Sequence, residues 1–427
     1  MAETSTLIRN VRVLDGRENV LSPPRDILVQ GHLIARISDA GEPPPPADAA
    51  VIDATGHIMT PGFIEGHSHL MFQMPILEGL FADEYHIALT SVEQVRSVLM
   101  QGFTTVRDLA GNTFSLKRAI DRGVLPGPRI YPSGAMISQT SGHADQRPLN
   151  APMKMTCSCM SLLTPLGGHM VIADGVDEVL GAVREQLRQG ASQIKIAVGG
   201  GTGSQNDPLD VVQYTMAEMQ AAVDAAGDWN TYVSAHVYNP KGILRAVKAG
   251  VRASEHGNLG DEAALTAMAE NDVWLSPQVL TYTVYPPGYT PAQKRKHDEA
   301  YAAIDRMFTL TRKIGFTRIA FGTDVICDPK LMANLGQEFV LRSQWFEPAE
   351  ILRQATWQNA QLLALSGPRN PYPGTLGVIE EGALADLLVM RGNPLADLSI
   401  LTRPAENLAV IMKDGQLFKN ELAQPAI

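Results

Sequence analysis

The feature that most constrains the fold is an alternation of short apolar runs with segments of helical periodicity through the middle of the chain. Helical segments such as VDEVLGAVREQLRQG and TMAEMQAAVDAAG separate several of these runs. Eight runs have the length and composition of buried strands: FIEGHSHL, TTVRDLA, RIYPSG, QIKIAV, YVSAHV, RASEH, WLSPQ and RIAFGTD. Such an array is typical of α/β proteins with parallel strands, and eight repeats predict a (β/α)8, TIM-like barrel.

Both ends of the chain are rich in short β-type runs bounded by turn residues. TLIRNVRVLDG and DILVQGHLIARISD lie near the beginning, where we expect a small antiparallel sheet, and ADLLVMRG and LAVIMKDG lie near the end. A chain of 427 residues is long enough for one large domain and a smaller one. We therefore expect a β-sandwich domain built from residues 1–61 together with 375–427, beside a barrel formed by residues 62–374.

Composition excludes several classes of partner. The net charge is −10, with 35 Lys and Arg against 45 Asp and Glu, which argues against binding to nucleic acid. A membrane span needs about 18 uninterrupted apolar residues, and no stretch approaches this length, so we expect no membrane partner. The first residues lack a signal-peptide pattern, so we expect a cytoplasmic location. Cys157, Cys159 and Cys327 are too few for a disulfide framework, and we expect reduced thiols.

Four histidines lie at the ends of predicted strands. His67 and His69 are two residues apart, so both side chains can point from one strand face toward a single ion. His236 closes YVSAH and His256 closes RASEH, and neutral imidazole is a common ligand of zinc and similar ions. A histidine pair on a strand can also belong to a hydrogen-bond network. Active sites lie at the carboxyl ends of barrel strands, so we predict that these histidines are metal ligands.

Two further residues extend the predicted site. Asp324 closes RIAFGTD and can bind a cation or accept a proton, although an aspartate there can also cap a helix. Lys195 lies between two isoleucines, where a buried ammonium without a partner is costly. A carbamate formed from lysine and CO₂ is an anion that can bridge two divalent ions. The alternative is an ion-paired lysine or one that extends to the surface.

Taken together, these motifs resemble those of the amidohydrolase superfamily. PGFIEGHSHL is similar to its first-strand motif P-G-x-I-D-x-H-x-H, with Glu65 in place of the usual Asp. IKIA, SAHV, SEH and FGTD resemble four later strands, and LGVIEEGALADLLVMRGNPL resembles the closing segment. The resemblance implies a two-metal hydrolase, with zinc as the expected metal, in which a hydroxide that bridges the metals attacks an amide carbonyl and Asp324 transfers the proton. It assigns the ligands as follows: His67, His69 and Asp324 for one ion, His236 and His256 for the other, and carboxylated Lys195 between them.

Within the superfamily, the chain resembles the imidazolonepropionase-like branch, which includes Xaa-Pro dipeptidases and ochratoxin-hydrolysing enzymes. The features are TTVRDLAG, SGHAD, the GGG after the fourth strand and HVY. By this resemblance His143 and Tyr238 contact the substrate, although His143 can also be an ordinary loop histidine. The residues after His236 do not form the H-x-x-E of single-metal deaminases, which counts against deamination. Relatives often self-associate, so a homo-oligomer is expected.

A methionine-rich stretch at residues 150–170 gives a cue to the substrate. Its methionines and leucines can form a soft apolar lining or can pack against the barrel rim. With the resemblance, this favours a small-molecule amide that joins an aromatic acyl group to an amino acid with a free carboxylate, such as ochratoxin A. An Xaa-Pro or other dipeptidase and an imidazolonepropionase-like cyclic-amide hydrolase are alternatives. A scaffold or binding protein that keeps the barrel without activity is the third alternative, which the complete ligand set disfavours.

Overall fold

A computed structural model gives the fold of the chain. It describes residues 5–42, 44, 46, 49–75, 78–79, 82–147 and 168–422. Most of the methionine-rich stretch, residues 150–167, lies outside the described residues, so the prediction that it lines the site stays a prediction. Among the residues that are described, no helix combines the length and hydrophobicity needed to cross a membrane.

One sheet joins the two ends of the chain. Its strands are β1 (Ser5–Val13), β2 (Pro24–Gln30), β3 (Leu33–Asp39), β4 (Ala50–Asp53), β5 (Ile58–Pro61), β15 (Leu387–Met390), β16 (Leu408–Lys413) and β17 (Gln416–Asn420). The hydrogen-bonded order is β17-β16-β15-β5-β1-β2-β3, and β4 also pairs with β1. Thr60 lies opposite Leu388, which brings the end of the chain back to its beginning. The domain boundaries given above stay a prediction.

The pairing in this sheet differs from the antiparallel arrangement that we expected for the first part of the chain. β1 pairs in parallel with both β4 and β5, while its pairing with β2 is antiparallel. The reason is that β2 already occupies one edge of β1. After β3, which runs in the same direction as β1, the chain crosses back and enters along the other edge, and such a crossover produces parallel pairs.

Two further sheets contain only parallel pairs. The first has the order β6 (Phe63–Ser68), β7 (Phe103–Asp108), β8 (Arg129–Pro132). The second has the order β10 (Met170–Ile172), β9 (Met136–Ser138), β11 (Ile194–Ala197), β12 (Val233–Val237), β13 (Ala253–His256), β14 (Trp274–Ser276). Seven of the eight predicted runs are thus strands, whereas β9 and β10 were not predicted because each is a run of three residues.

The eighth predicted run, residues 318–324, is irregular. It carries one isolated bridge, Ile319 to Leu275 of β14. On its other side, Gly66 N–H donates to Phe321 O at 2.9 Å and Asp324 N–H donates to the carbonyl of His67 at 2.9 Å. The run therefore contacts both parallel sheets without a regular ladder. The parallel sheets and the β domain are consistent with a TIM-type architecture.

Within the described residues, helices separate most of the successive parallel strands, and further helices follow β14. They are α1 (Glu84–Met100), α2 (Phe114–Asp121), α3 (Val176–Gln189), α4 (Met216–Asp228), α5 (Pro240–Ala249), α6 (Glu262–Glu270), α7 (Pro291–Ala302), α8 (Ile304–Lys313), α9 (Pro329–Met332), α10 (Gln337–Arg342), α11 (Pro348–Arg353), α12 (Asn359–Ala364) and α13 (Pro404–Asn407). Local sequence explains their ends. Gly250 ends α5 with φ +94°, a conformation that favours glycine. Thr290 begins α7 in a capping box with Gln293.

Burial on both faces explains why the parallel strands read as continuous apolar runs. Ile130, Ile194, Ile196 and Val233 are completely or almost completely buried in one core. The sheet formed by the two chain ends has a separate core. The buried parallel strands hold their carboxyl ends in fixed positions, and the candidate site lies there.

Candidate active site

His67, His69 and Asp324 form a compact group of potential metal ligands. β6 carries His67, and His69 follows its last residue. Asp324 Oδ1 lies 3.3 Å from Nε2 of His67 and 2.9 Å from Nε2 of His69. The ligand-type atoms of the three residues all lie within 4.8 Å of one another. Two imidazoles and a carboxylate at this spacing are a suitable donor set for a divalent ion.

A second group consists of His236 and His256, at the ends of the neighbouring strands β12 and β13. Nδ1 of His236 lies 2.8 Å from Nε2 of His256. The other nitrogen of each ring has its own partner: Nε2 of His236 is 3.2 Å from the carbonyl of Gly200, and Nδ1 of His256 is 2.8 Å from Oε1 of Gln278. These hydrogen bonds leave the facing nitrogens free to bind an ion, as is usual for metal-binding histidines.

Lys195 is buried in β11 and lines the same cleft as the histidines. Its ammonium nitrogen has no hydrogen-bond partner within the described part of the chain. Burial lowers the pKa of Lys195 to about 8, although Glu255 and Asp324 oppose this shift. An unpartnered buried ammonium is costly, so the environment favours a neutral or modified amine.

The protonation states suit metal binding. Burial lowers the pKa of His67 to about 4, and burial also lowers the pKa values of His236 and His256 well below the ordinary value. For Asp324, burial raises the pKa, but His67 and His69 outweigh it and hold the pKa well below its usual range. Neutral imidazoles and an ionised carboxylate are the forms that bind metals. The residues therefore fit two divalent ions.

Two of these residues have an unusual backbone. His256 has φ +69° and Asp324 has φ +50°, which places both in the left-handed region. A non-glycine residue there costs about 1–3 kcal/mol and persists only where the surroundings enforce it. Such strain is frequent at functional sites, and here it occurs at two proposed ligands.

A buried ion pair that sequence reasoning missed lies beneath the site. Glu255 Oε2 is 2.8 Å from Nδ1 of His67, and Glu255 Oε1 accepts a hydrogen bond of 2.7 Å from Arg107. Both side chains are completely buried. Burial raises the pKa of Glu255, but Arg107, Lys195 and His67 together hold it well below its ordinary value. The charge of Arg107 inside the apolar run TTVRDLA was the sequence feature that could have indicated a buried ion pair.

Glu65 occupies the position where the motif usually has Asp. Its Oε1 accepts 2.9 Å hydrogen bonds from the backbone N–H groups of His67 and Thr323. Burial raises the pKa of Glu65 to about 8. This side chain connects the segment that carries the first two histidines to the segment that carries Asp324.

The two predicted substrate-binding residues lie against the histidine pair. The His143 ring is stacked on the His236 ring with centroids 3.9 Å apart and planes 7° apart. The Tyr238 ring is stacked on His256 at 4.8 Å and 6°. The hydroxyl of Tyr238 is 2.6 Å from that of Tyr282.

All eight residues line one cleft. The wall includes the following apolar residues: Met71, Phe72, Met74, Met136, Met170 and Ile326. Among the described lining residues, Lys195 is the only lysine and there is no arginine. The structure thus brings together every residue predicted for the site, while their roles as ligands and substrate contacts stay predictions.

The chain is similar to known proteins in both sequence and structure. The model of the amidohydrolase family matches residues 58–417. Ochratoxinase from Aspergillus niger is 33% identical over 333 residues, which cover 75% of this chain and 66% of that protein, so the match spans just under two thirds of its length. A prolidase crystallised with N-methylphosphonate-L-proline is 34% identical with a TM-score of 0.89, covering 98% of this chain and 100% of the other. An Xaa-Pro dipeptidase with bound methionine is 28% identical with a TM-score of 0.84 over the same shares.

Proposed function

Because this chain belongs to the amidohydrolase family, we propose that it is a metal-dependent hydrolase that cleaves the amide bond of N-acyl amino acids. The family relationship confirms the prediction of a hydrolytic enzyme at the level of the family. The observation that carries the proposal is the convergence of four imidazoles, Asp324 and a buried Lys195 in one cleft, where the Lys195 ammonium has no hydrogen-bond partner among the described residues. These are the donor types that a two-metal hydrolase requires.

In this proposal two divalent ions, with zinc as the expected metal, are held by the residues of the cleft. His67, His69 and Asp324 would hold one ion, His236 and His256 would hold the other, and a carbamate on Lys195 would supply a further anionic ligand. When bound, such ions polarise the carbonyl and generate a nucleophile from water at neutral pH. The low pKa of Lys195 supports carbamate formation, because only the neutral amine reacts with CO₂.

The proposal includes closure of the parallel strands into a (β/α)8 barrel. The hydrogen bonds of residues 318–324 to β14 on one side and to β6 on the other support this closure. In such a barrel the site would lie at the carboxyl ends of the strands, where active sites of this architecture are found. Self-association into a homo-oligomer also stays part of the proposal.

The chain's own residues have distinct tasks in the reaction. Asp324 is ionised, so its carboxylate can accept a proton and then donate it to the leaving amine. His143 and Tyr238 hold the carbonyl or the carboxylate of the substrate. The apolar wall excludes water and receives the acyl group.

The relatives and the cleft support a specific substrate, ochratoxin A, whose amide joins an aromatic acid to phenylalanine. One relative is an ochratoxinase, and the apolar wall around Phe72 and Met136 suits an aromatic group. A dipeptidase that acts on Xaa-Pro is the second candidate. The similarity along 98% of the chain to a prolidase bound to an N-methylphosphonate-L-proline favours it.

Turnover of three substrates by the zinc-loaded protein tests the proposal. We expect hydrolysis of ochratoxin A, with an Xaa-Pro dipeptide as the alternative, and loss of turnover in Asp324→Asn. Cleavage of imidazolonepropionate alone would show that the substrate class is wrong. Absence of hydrolysis of all three by protein that has bound metal would contradict the proposed function.

A further inference from the structure

A buried polar cluster lies behind His143, on the Gly-rich loop of residues 199–213. Asp207 and Ser204 are 2% and 1% exposed, respectively. A buried carboxylate outside the proposed ligand set is costly unless several groups satisfy it. The cluster therefore requires a role that the reaction described above does not supply.

The cluster contacts the edge of the His143 ring that carries Nδ1. Nδ1 of His143 is 3.0 Å from Oγ of Ser204 and 3.5 Å from Oδ2 of Asp207. Ser204 donates its hydroxyl proton to Oδ1 of Asp207. Since a hydroxyl has only one proton to donate, the Ser204 oxygen accepts a hydrogen bond from Nδ1–H of His143.

The other ring nitrogen of His143, Nε2, is available to bind a group in the cleft. Within the described part of the chain, Nε2 of His143 has no hydrogen-bond partner, and the side chain lines the cleft. The stack on His236 fixes the plane of the ring. Gly201 makes the close approach possible, because a Cβ at that position would lie 2.1 Å from the His143 ring.

The loop that carries the cluster is anchored by Lys296 of α7. Its ammonium donates hydrogen bonds to the carbonyls of Gly201 at 2.6 Å, Ser204 at 2.7 Å and Asp207 at 3.0 Å. The backbone N–H of Gly201 also donates to Oδ2 of Asp207 at 2.9 Å. The Gly201 N–H therefore holds the carboxylate within the loop, and Lys296 holds the loop.

We propose that Asp207 is a positioning residue for His143: with Ser204 it keeps a proton on Nδ1 and directs Nε2 to the substrate. This rests on the proposed function, which assigns His143 to the substrate carbonyl or carboxylate. A fixed tautomer and ring orientation are what an acid behind an imidazole provides in other active sites.

A double-mutant cycle tests this role. Asp207→Asn should lower kcat/KM about 10-fold to 100-fold with unchanged metal content, and it should cause no further loss in a His143→Asn background. Asp210→Asn, an exposed aspartate on the same loop, is the matched control and should retain full activity. Losses that multiply in the double variant, or full activity in Asp207→Asn, would overturn the proposal.

A second measurement does not require that Asp207→Asn folds, and it does not depend on turnover. In ¹⁵N NMR spectra of the wild-type protein, with His143 assigned by its absence in His143→Asn, Nδ1 should carry a proton. An unprotonated Nδ1 would overturn the inference even if the protein hydrolyses amides. A protonated Nδ1 in a protein that hydrolyses none of the three substrates would instead refute the proposed function alone.

Discussion

Nδ1 of His236 lies 2.8 Å from Nε2 of His256, and the other nitrogen of each ring is hydrogen bonded away from the pair. Both imidazoles have pKa values well below the ordinary value because they are buried. Two neutral rings that face each other through lone pairs repel, and a bound cation removes that repulsion. A cation bound between the two rings would therefore stabilise this arrangement of the pair.

Loss of one ring should remove one ion. His236→Ala should lower the metal content from two ions per chain to one, because the proposed ligands His67, His69 and Asp324 are unchanged. Inductively coupled plasma mass spectrometry measures the content. His32→Ala, which removes an exposed histidine, is the control. An unchanged content in His236→Ala would contradict the assignment of this residue.

Metal loading should depend on bicarbonate and pH through Lys195. The pKa of Lys195 is lowered to about 8 by burial, and the neutral fraction of the amine falls about 10-fold for each pH unit below that value. Reconstitution of metal-free protein should therefore accelerate with bicarbonate and, up to about pH 8, with rising pH. Lys195→Ala should lose this dependence and recover partial activity with added acetate. A wild-type rate that is independent of bicarbonate would exclude the carbamate.

Removal of the acid beneath the site should affect both stability and metal binding. Glu255→Gln leaves Arg107 buried without its ionic partner, and breaking such a pair costs about 3–5 kcal/mol in the free energy of unfolding. It also removes the negative charge that lies 2.8 Å from Nδ1 of His67, which should weaken metal affinity about 10-fold to 100-fold. Urea unfolding and metal titration measure the two effects.

The matched control for this change is Glu185→Gln, which removes an exposed carboxylate that pairs with Arg188. It should change the free energy of unfolding by less than about 0.5 kcal/mol. Equal effects of the two substitutions would show that Glu255 neither supports the fold nor orients His67.

Acid should destabilise the protein through His169. Burial lowers the pKa of His169 to about 4, so between pH 6.5 and 4 the unfolded state binds a proton that the folded state does not. Stability therefore falls as the pH decreases through this range, by about 3 kcal/mol in total. His169→Gln should lose about 3 kcal/mol less than the wild type between pH 7 and pH 4 in urea unfolding. Equal losses of unfolding free energy in the two proteins would show that His169 does not cause the acid destabilisation.

Much of the fold was predictable because buried parallel strands have a clear apolar signal. The irregular conformation of residues 318–324 was not predicted from the apolar pattern. In this run Gly322 packs closely on His67, and a Cβ at Gly322 would lie 2.8 Å from the backbone nitrogen of His67. The parallel pairing of β1 with β4 and β5 was also missed. It depends on which strand edge remains free, and no local pattern encodes that.

The candidate site was predictable where each residue closes its own strand. Glu255, Gln278 and Asp207 were missed because their roles depend on contacts with residues far away in the chain. Glu255, for example, touches Arg107, which is 148 positions earlier. Only the charge of Arg107 within an apolar strand indicated that a buried acidic partner such as Glu255 exists.

The most direct test of the two-metal site is a crystal structure of the protein purified with zinc and bicarbonate, with anomalous diffraction measured at the zinc edge. We expect two anomalous peaks in the cleft, one beside His67, His69 and Asp324 and one beside His236 and His256, with a carboxylated Lys195 between them. A single peak elsewhere, or an unmodified Lys195 with no peak beside the histidine pair, would contradict the two-metal site.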